Sequence, residues 1–194
     1  MDILIERIKK EASFIPSAGI IKVDSFLNHQ LDIKLINQIG NEFFARFSEK
    51  KPDKIVTIES SGIAIASITS QHFDYVPVVF AKKFPLDSPE NSDFYESKAF
   101  SYTKNISSKI KISKKYINKG DKILIIDDFL AEGNATLSLI EIIEQAGATI
   151  CGIGIVIEKG FQQGGKILRK MGLPLESLVI INKDSNGDLI IKNE

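Results

Sequence analysis

The apolar positions of the chain fall into five short β-branched runs, at residues 54–59, 76–81, 122–126, 149–158 and 177–181, separated by stretches of helical spacing. Continuous apolar runs of this kind, alternating with helices, predict a parallel sheet buried on both faces. Ahead of them, Ile5, Ile8 and Ala12 predict a short amphipathic helix over residues 2–13. Residues 20–23 read as a brief strand that the polar residues 24–30 interrupt. Residues 33–47 carry Ile36, Ile39, Phe43 and Phe47 on one helical face. After Ser60, Ser61 and Gly62 an apolar helical stretch is expected through Phe73, and another helix from about Asn134 to Ala146, with Gly147 as its stop.

Between Lys82 and Thr103 the regular period is lost, and two prolines, Pro85 and Pro89, interrupt the chain. A long stretch without regular structure inside one domain predicts a functional lid or a disordered segment. The clean alternation at residues 108–113 predicts a half-exposed antiparallel strand or hairpin arm. Together these segments read as a hinged flap over the sheet edge, with Ser101, Tyr102 and Thr103 on its return arm. The run 182–188 reads as a turn before a last short strand.

Composition narrows the class. The 194 residues fit one domain, and 43% hydrophobic residues suffice for a core. Lysine plus arginine, 25, balances aspartate plus glutamate, 25, so no basic surplus marks a general nucleic-acid binder. The single cysteine, Cys151, excludes a disulfide within the chain and reads as a small buried hydrophobe. No apolar run approaches a membrane span, and the charged N-terminus is unlike a signal peptide. A cytoplasmic domain with no membrane or nucleic-acid partner is expected.

In a parallel sheet, ligands bind beyond the carboxyl ends of the strands where strand order reverses. The residues after the third run are the sharpest candidates: Asp127 and Asp128, then a loop with Gly133 that opens onto a helix. Unpaired N–H groups at a helix start suit a phosphate, glycine lets the backbone come close, and adjacent carboxylates accept from ribose hydroxyls. His29 and His72 have no Cys or His cluster around them, so no protein-held transition metal is expected.

The segment from Ile125 to Ala135 resembles the phosphoribosyl pyrophosphate (PRPP) signature of type I phosphoribosyltransferases. It departs from the common Thr-Gly-Gly-Thr loop, carrying Glu132, Gly133, Asn134 and Ala135 there. Residues 22–30, 55–64, 76–81, 127–131 and 152–159 together resemble the bacterial xanthine phosphoribosyltransferase branch of that family, whose variant loop also has alanine at both ends. The resemblance implies a mostly parallel central sheet flanked by helices in one domain spanning 1–194, with a small N-terminal hood, about 1–35, and a flexible flap, about 83–113. It implies that Ala131, Glu132, Gly133, Asn134 and Ala135 hold the 5′-phosphate, and that Asp127 and Asp128 face the ribose. Ser60, Ser61 and Gly62 would meet pyrophosphate; by spacing alone they read as a turn and helix cap. Ile21, Asn28 and Lys159 would take the base. Lys82 and Lys83, otherwise a solvated pair, would help neutralise pyrophosphate across a dimer interface.

The implied reaction is transfer of phosphoribosyl from PRPP to xanthine, giving xanthosine 5′-monophosphate and pyrophosphate, with Mg²⁺ carried by PRPP and a homodimer as the working unit. Preference for guanine or hypoxanthine, or a PRPP-sensing regulator without catalysis, are the alternatives.

Overall fold

The computed structural model describes residues 1–15, 19–89, 91–101, 106–184 and 189–192. Tyr102, Thr103 and residues 185–188 of the turn expected at 182–188 lie outside the described residues, while 182 and 183 prolong a strand instead. Ten strands and five helices follow in the order α1 (Asp2–Glu11), β1 (Ser13–Ile15), β2 (Ile20–Lys22), α2 (Ile33–Phe47), β3 (Lys54–Ile58), α3 (Ser61–His72), β4 (Val78–Pro85), β5 (Phe94–Ser101), β6 (Ile106–Ser113), β7 (Lys122–Leu130), α4 (Asn134–Gln145), β8 (Thr149–Lys159), α5 (Gly164–Lys170), β9 (Leu175–Lys183) and β10 (Leu189–Lys192) among the described residues.

Eight strands form one sheet in the order β10-β9-β8-β7-β3-β4-β6-β5. β9, β8, β7, β3 and β4 run parallel, and antiparallel strands extend both edges. The β-branched runs are buried on both faces because two apolar layers cover the sheet. Leu124 and Ile126 pack with α2 and α3, including Ile36, Phe43, Ile65 and Ala66. Ile123 and Ile125 point the other way, onto Leu139, Ile142 and Ile143 of α4 and Leu168 of α5. That alternation is the period of two of a strand. α2 starts at Asp32, whose carboxylate accepts from the Leu35 N–H at 3.0 Å. α4 stops as its glycine predicts: the Gly147 N–H donates to Glu144 and the Ala148 N–H to Ile143, the paired bonds that close a helix around a left-handed glycine.

Several expectations shift. α1 buries Leu4 as well as the expected Ile8, with Ile5 and Ala12 partly buried against the same core. β1, which pairs antiparallel with β2 as a separate two-stranded sheet, had no signal in the hydrophobic pattern. The stretch after Lys82 is not structureless: β4 continues to Pro85 and β5 begins at Phe94. β6 is covered on both sides, with Lys109 and Lys111 only 9% and 4% exposed. Their ammonium groups donate to the carbonyls of Ser88 and Pro89, so the proline-containing turn folds over the strand and satisfies them. β5 in turn lies on α4, where the Ser97 hydroxyl donates to Glu141 at 2.6 Å and the Gln145 amide to the Glu96 carbonyl at 2.9 Å.

Candidate active site

The strand order reverses between β3 and β7. From β3 the chain crosses through α3 to β4 on one side, and from β7 through α4 to β8 on the other. The two central strands also part before they end. Their pairing stops at Val56 and Ile125, whereas β3 stays paired to β4 through Ile58 and β7 to β8 through Leu130. The crevice opened by this splay is where a parallel sheet binds ligands. Residues 59–62 enter it from β3, and Asp127 and Asp128 from β7.

β7 runs through both carboxylates rather than ending ahead of them, which separates their environments. Asp127 is 4% exposed, and its Oδ1 accepts from the Asp128 N–H at 3.0 Å. Burial, then the charge of Asp128, push its carboxyl well above the ordinary carboxylate range, while Lys83 works against the rise. Asp128 is half-buried. Gly62, at the start of α3, lies directly on Asp127 and Thr57: a Cβ there would sit 2.2 Å from Thr57 Oγ1 and 3.0 Å from Asp127 Oδ1. Only glycine admits that approach. Ser60 precedes α3 without capping it by a side-chain hydrogen bond, and the Glu59-Ser60 peptide bond is cis. The Glu59 carboxylate accepts from the Lys83 N–H at 2.7 Å, binding this loop to β4.

The loop after β7 carries Ala131, Glu132 and Gly133, and α4 starts at Asn134 and Ala135. Gly133 has φ 90°, a left-handed conformation that glycine adopts without cost. No side chain caps the helix start, so its first N–H groups are left to face the crevice. The loop is buttressed from behind by α5, an element the hydrophobic pattern did not reveal. The Gly164 N–H donates to the Ala131 carbonyl at 3.0 Å, and a Cβ on Gly133 would meet Gly164 Cα at 3.0 Å. Adjacent glycines, Gly164 and Gly165, were the available signal.

Lys159 ends β8 beside this loop, half-buried. Its Nζ donates to the Gly19 carbonyl at 3.1 Å and lies 5.6 Å from the Phe129 ring centroid. Burial lowers its ammonium pKa, Asp128 opposes that shift, and Lys183 adds to it. Ile21, buried in β2, is two residues beyond Gly19, so Lys159 and Ile21 share the seam between sheet and N-terminal layer. Asn28 is exposed in the turn that follows, where its amide donates to Asp24 Oδ1 at 3.5 Å. Among the described residues no group of three or more His, Cys, Asp or Glu side chains could hold a metal ion. No helix among them is long and apolar enough to cross a membrane.

Geometry and sequence likeness lead to one family. The model of the phosphoribosyl transferase domain matches residues 22–167. Xanthine phosphoribosyltransferase 2 of Clostridium botulinum is 55% identical over 192 residues, covering 99% of this chain and all of that protein. Xanthine phosphoribosyltransferase 1 of Clostridium perfringens is 53% identical over the same shares. The crystal structure of an adenine phosphoribosyltransferase from Giardia lamblia, complexed with 9-deazaadenine, matches with TM-score 0.75 at 20% identity, over 93% of this chain and 98% of that one, and shares the fold. A mostly parallel sheet flanked by helices, a family model matched over residues 22–167 and more than half of all residues in common place this chain in the phosphoribosyltransferase family, among the bacterial xanthine phosphoribosyltransferases.

Proposed function

We propose that the protein transfers the 5-phosphoribosyl group of PRPP to xanthine, releasing pyrophosphate and forming xanthosine 5′-monophosphate. The observation that carries this reading is the convergence of two loops, residues 59–62 and 131–133, on the splayed ends of β3 and β7, with Lys159 at the adjoining seam. The residues divide by what they face. Ala131, Glu132, Gly133, Asn134 and Ala135 cradle the 5′-phosphate on backbone N–H groups. Asp128 accepts from the ribose hydroxyls, and Asp127, buried beneath Gly62, positions Asp128 and the pyrophosphate loop. Ser60, Ser61 and Gly62 present small side chains and backbone amides to the leaving pyrophosphate.

On the base side, Lys159 donates to an exocyclic oxygen, Asn28 donates and accepts through its amide, and Ile21 packs against the ring. The helix α1 with β1 and β2, about residues 1–35, forms the hood above the base. The antiparallel extension, about residues 83–113, forms the flap that closes over PRPP and excludes water. Lys83 is near enough to Asp127 to oppose the rise in its pKa, which supports a place for that lysine beside the site.

In the reaction, the bond from C1′ to the pyrophosphate oxygen breaks with its electron pair leaving on pyrophosphate. A nitrogen of the purine imidazole ring forms the new bond to C1′, and its proton passes to solvent. Positioning the two substrates and stabilising the separating charges supply most of the acceleration. Mg²⁺ fits as part of the substrate, held by PRPP oxygens and water: one buried carboxyl beside one half-buried carboxylate makes no resident cage. The working unit is taken to be a cytoplasmic homodimer, which sedimentation of the purified protein tests.

The direct test is pyrophosphate release from PRPP and Mg²⁺ with xanthine, guanine, hypoxanthine or adenine offered singly. Preference for xanthine is expected. Preference for guanine or hypoxanthine would overturn the base assignment, and silence with every base while PRPP still bound would favour a PRPP-sensing regulator.

A further inference from the structure

We propose that Arg169 is a positioning residue of the PRPP site, fixing through Glu158 where α5 stands behind the loop between β7 and α4. The inference rests on the transfer reading above, in which that loop holds the 5′-phosphate, and concerns what keeps its backbone in place.

Neighbouring residues of a strand face opposite ways. At the end of β8, Lys159 turns to the N-terminal layer, where it reaches Gly19, and Glu158 turns to α5. Glu158 is 4% exposed, and two elements meet its carboxylate. The Arg169 guanidinium of α5 donates to both oxygens, and the Ser177 hydroxyl of β9 donates to one of them. A fork of two N–H bonds fixes orientation as well as distance, which a single ammonium contact does not. Residues four apart share a helix face, so Arg169 lies one turn beyond Gly165 and folds back over it. A Cβ on Gly165 would stand 2.6 Å from Arg169 Nη1. Little else sets the place of this seven-residue helix: Leu168 is its one buried apolar side chain.

The first turn of α5 bears directly on the loop. A Cβ on Gly164 would stand 2.5 Å from the Ala131 carbonyl oxygen, 2.8 Å from the Gly133 nitrogen and 2.9 Å from Leu130 Cδ1. Leu130 itself pairs with Glu158 across β7 and β8. The contacts therefore close a ring, from Glu158 to Arg169, along α5 to Gly164, and through Ala131 and Leu130 back to Glu158. Because Gly164 meets the loop backbone on backbone, with no side chain to absorb a shift, a displacement of α5 is passed to the N–H groups that face the crevice.

The test measures binding of PRPP with Mg²⁺ by calorimetry, KM for PRPP and for xanthine, and thermal melts of the wild type, R169K, R169M and the double variant E158Q/R169M. R169M strands a buried carboxylate and should lose stability for that reason alone, whereas the double variant is neutral at both positions and should recover most of the loss. PRPP binding should weaken about tenfold in R169M and stay weakened in the double variant, with KM for xanthine within about threefold of the wild type's. R169K, which keeps the charge without the fork, should fall between. If the double variant regains PRPP affinity together with stability, Arg169 only neutralises Glu158 and the proposal is overturned. Equal losses for PRPP and xanthine overturn it as well. A wild type that binds PRPP yet releases no pyrophosphate with any purine overturns the transfer reading alone, since the effect of Arg169 on PRPP binding is read without turnover. A wild type that does not bind PRPP overturns both.

Discussion

The Glu158 carboxylate is held by Arg169 through two hydrogen bonds, of 2.8 and 2.9 Å, and accepts a third from Ser177 at 2.6 Å. This pairing joins the two halves of the site. Glu158 directly precedes Lys159, and Arg169 lies on α5, whose first residues support the loop between β7 and α4. Between them sits Gly165, where a Cβ would fall 1.9 Å from Glu158 Oε1. An alanine there must displace the carboxylate or α5, and Gly164 moves with it away from Ala131. Gly165→Ala should therefore raise KM for PRPP about tenfold while KM for xanthine changes less than threefold. Steady-state kinetics with each substrate varied in turn check this; equal changes in both constants would show that the contact serves folding only.

Thr57 and Gly62 are predicted to be coupled. Gly62→Ala places a methyl group against the Thr57 hydroxyl, which is fully buried and has no hydrogen-bond partner among the described residues. The overpacking should cost about 1–3 kcal/mol. Adding Thr57→Ala removes Oγ1, and the double variant should recover at least about half of that loss. Denaturant unfolding of both single variants and the double variant measures the coupling, and strict additivity would contradict the contact.

Asp127 should make stability fall with rising pH. The unfolded chain releases this proton in the ordinary carboxylate range, while the fold retains it. The stability it contributes is therefore full below that range and lost as pH climbs through the raised native value. Asp127→Asn cannot ionise, so its melting temperature should exceed the wild type's by about 2 °C or more at neutral pH and converge with it in acid. Thermal melts over a pH series decide the matter, and parallel curves would mean that Asp127 is not held neutral.

Asp128→Asn should behave differently because this side chain is only half-buried. Turnover should drop about a hundredfold as the acceptor for the ribose is lost. The melting temperature should stay within about 2 °C of the wild type's. A folded variant with near-wild-type turnover would remove Asp128 from the proposed role.

The legible parts of this chain are those whose signal is local. Helix α2 was readable because Ile36, Ile39, Phe43 and Phe47 repeat at helical spacing, and the central strands because both of their faces are apolar. Asp127, Asp128 and Gly133 stood out because a phosphate site needs acids, a glycine and a helix start in immediate succession. The covered β6 was misread as half-exposed because lysines at 109 and 111 look solvated until the carbonyls of Ser88 and Pro89 are folded over them.

By itself, then, the sequence determined the α/β architecture, the resemblance to a family and the place of the glycine loop between β7 and α4, all properties of contiguous residues. Tertiary structure alone decided that Asp127 is buried while Asp128 is half-buried, with Gly62 packing onto Asp127 from the start of α3. It alone brought Gly164 behind the loop between β7 and α4, and Gly165 against Glu158. Those relationships depend on strand order and on distances across the sheet. A one-dimensional pattern does not carry them, since the interacting groups are far apart in the chain and each looks ordinary until its neighbour is in place.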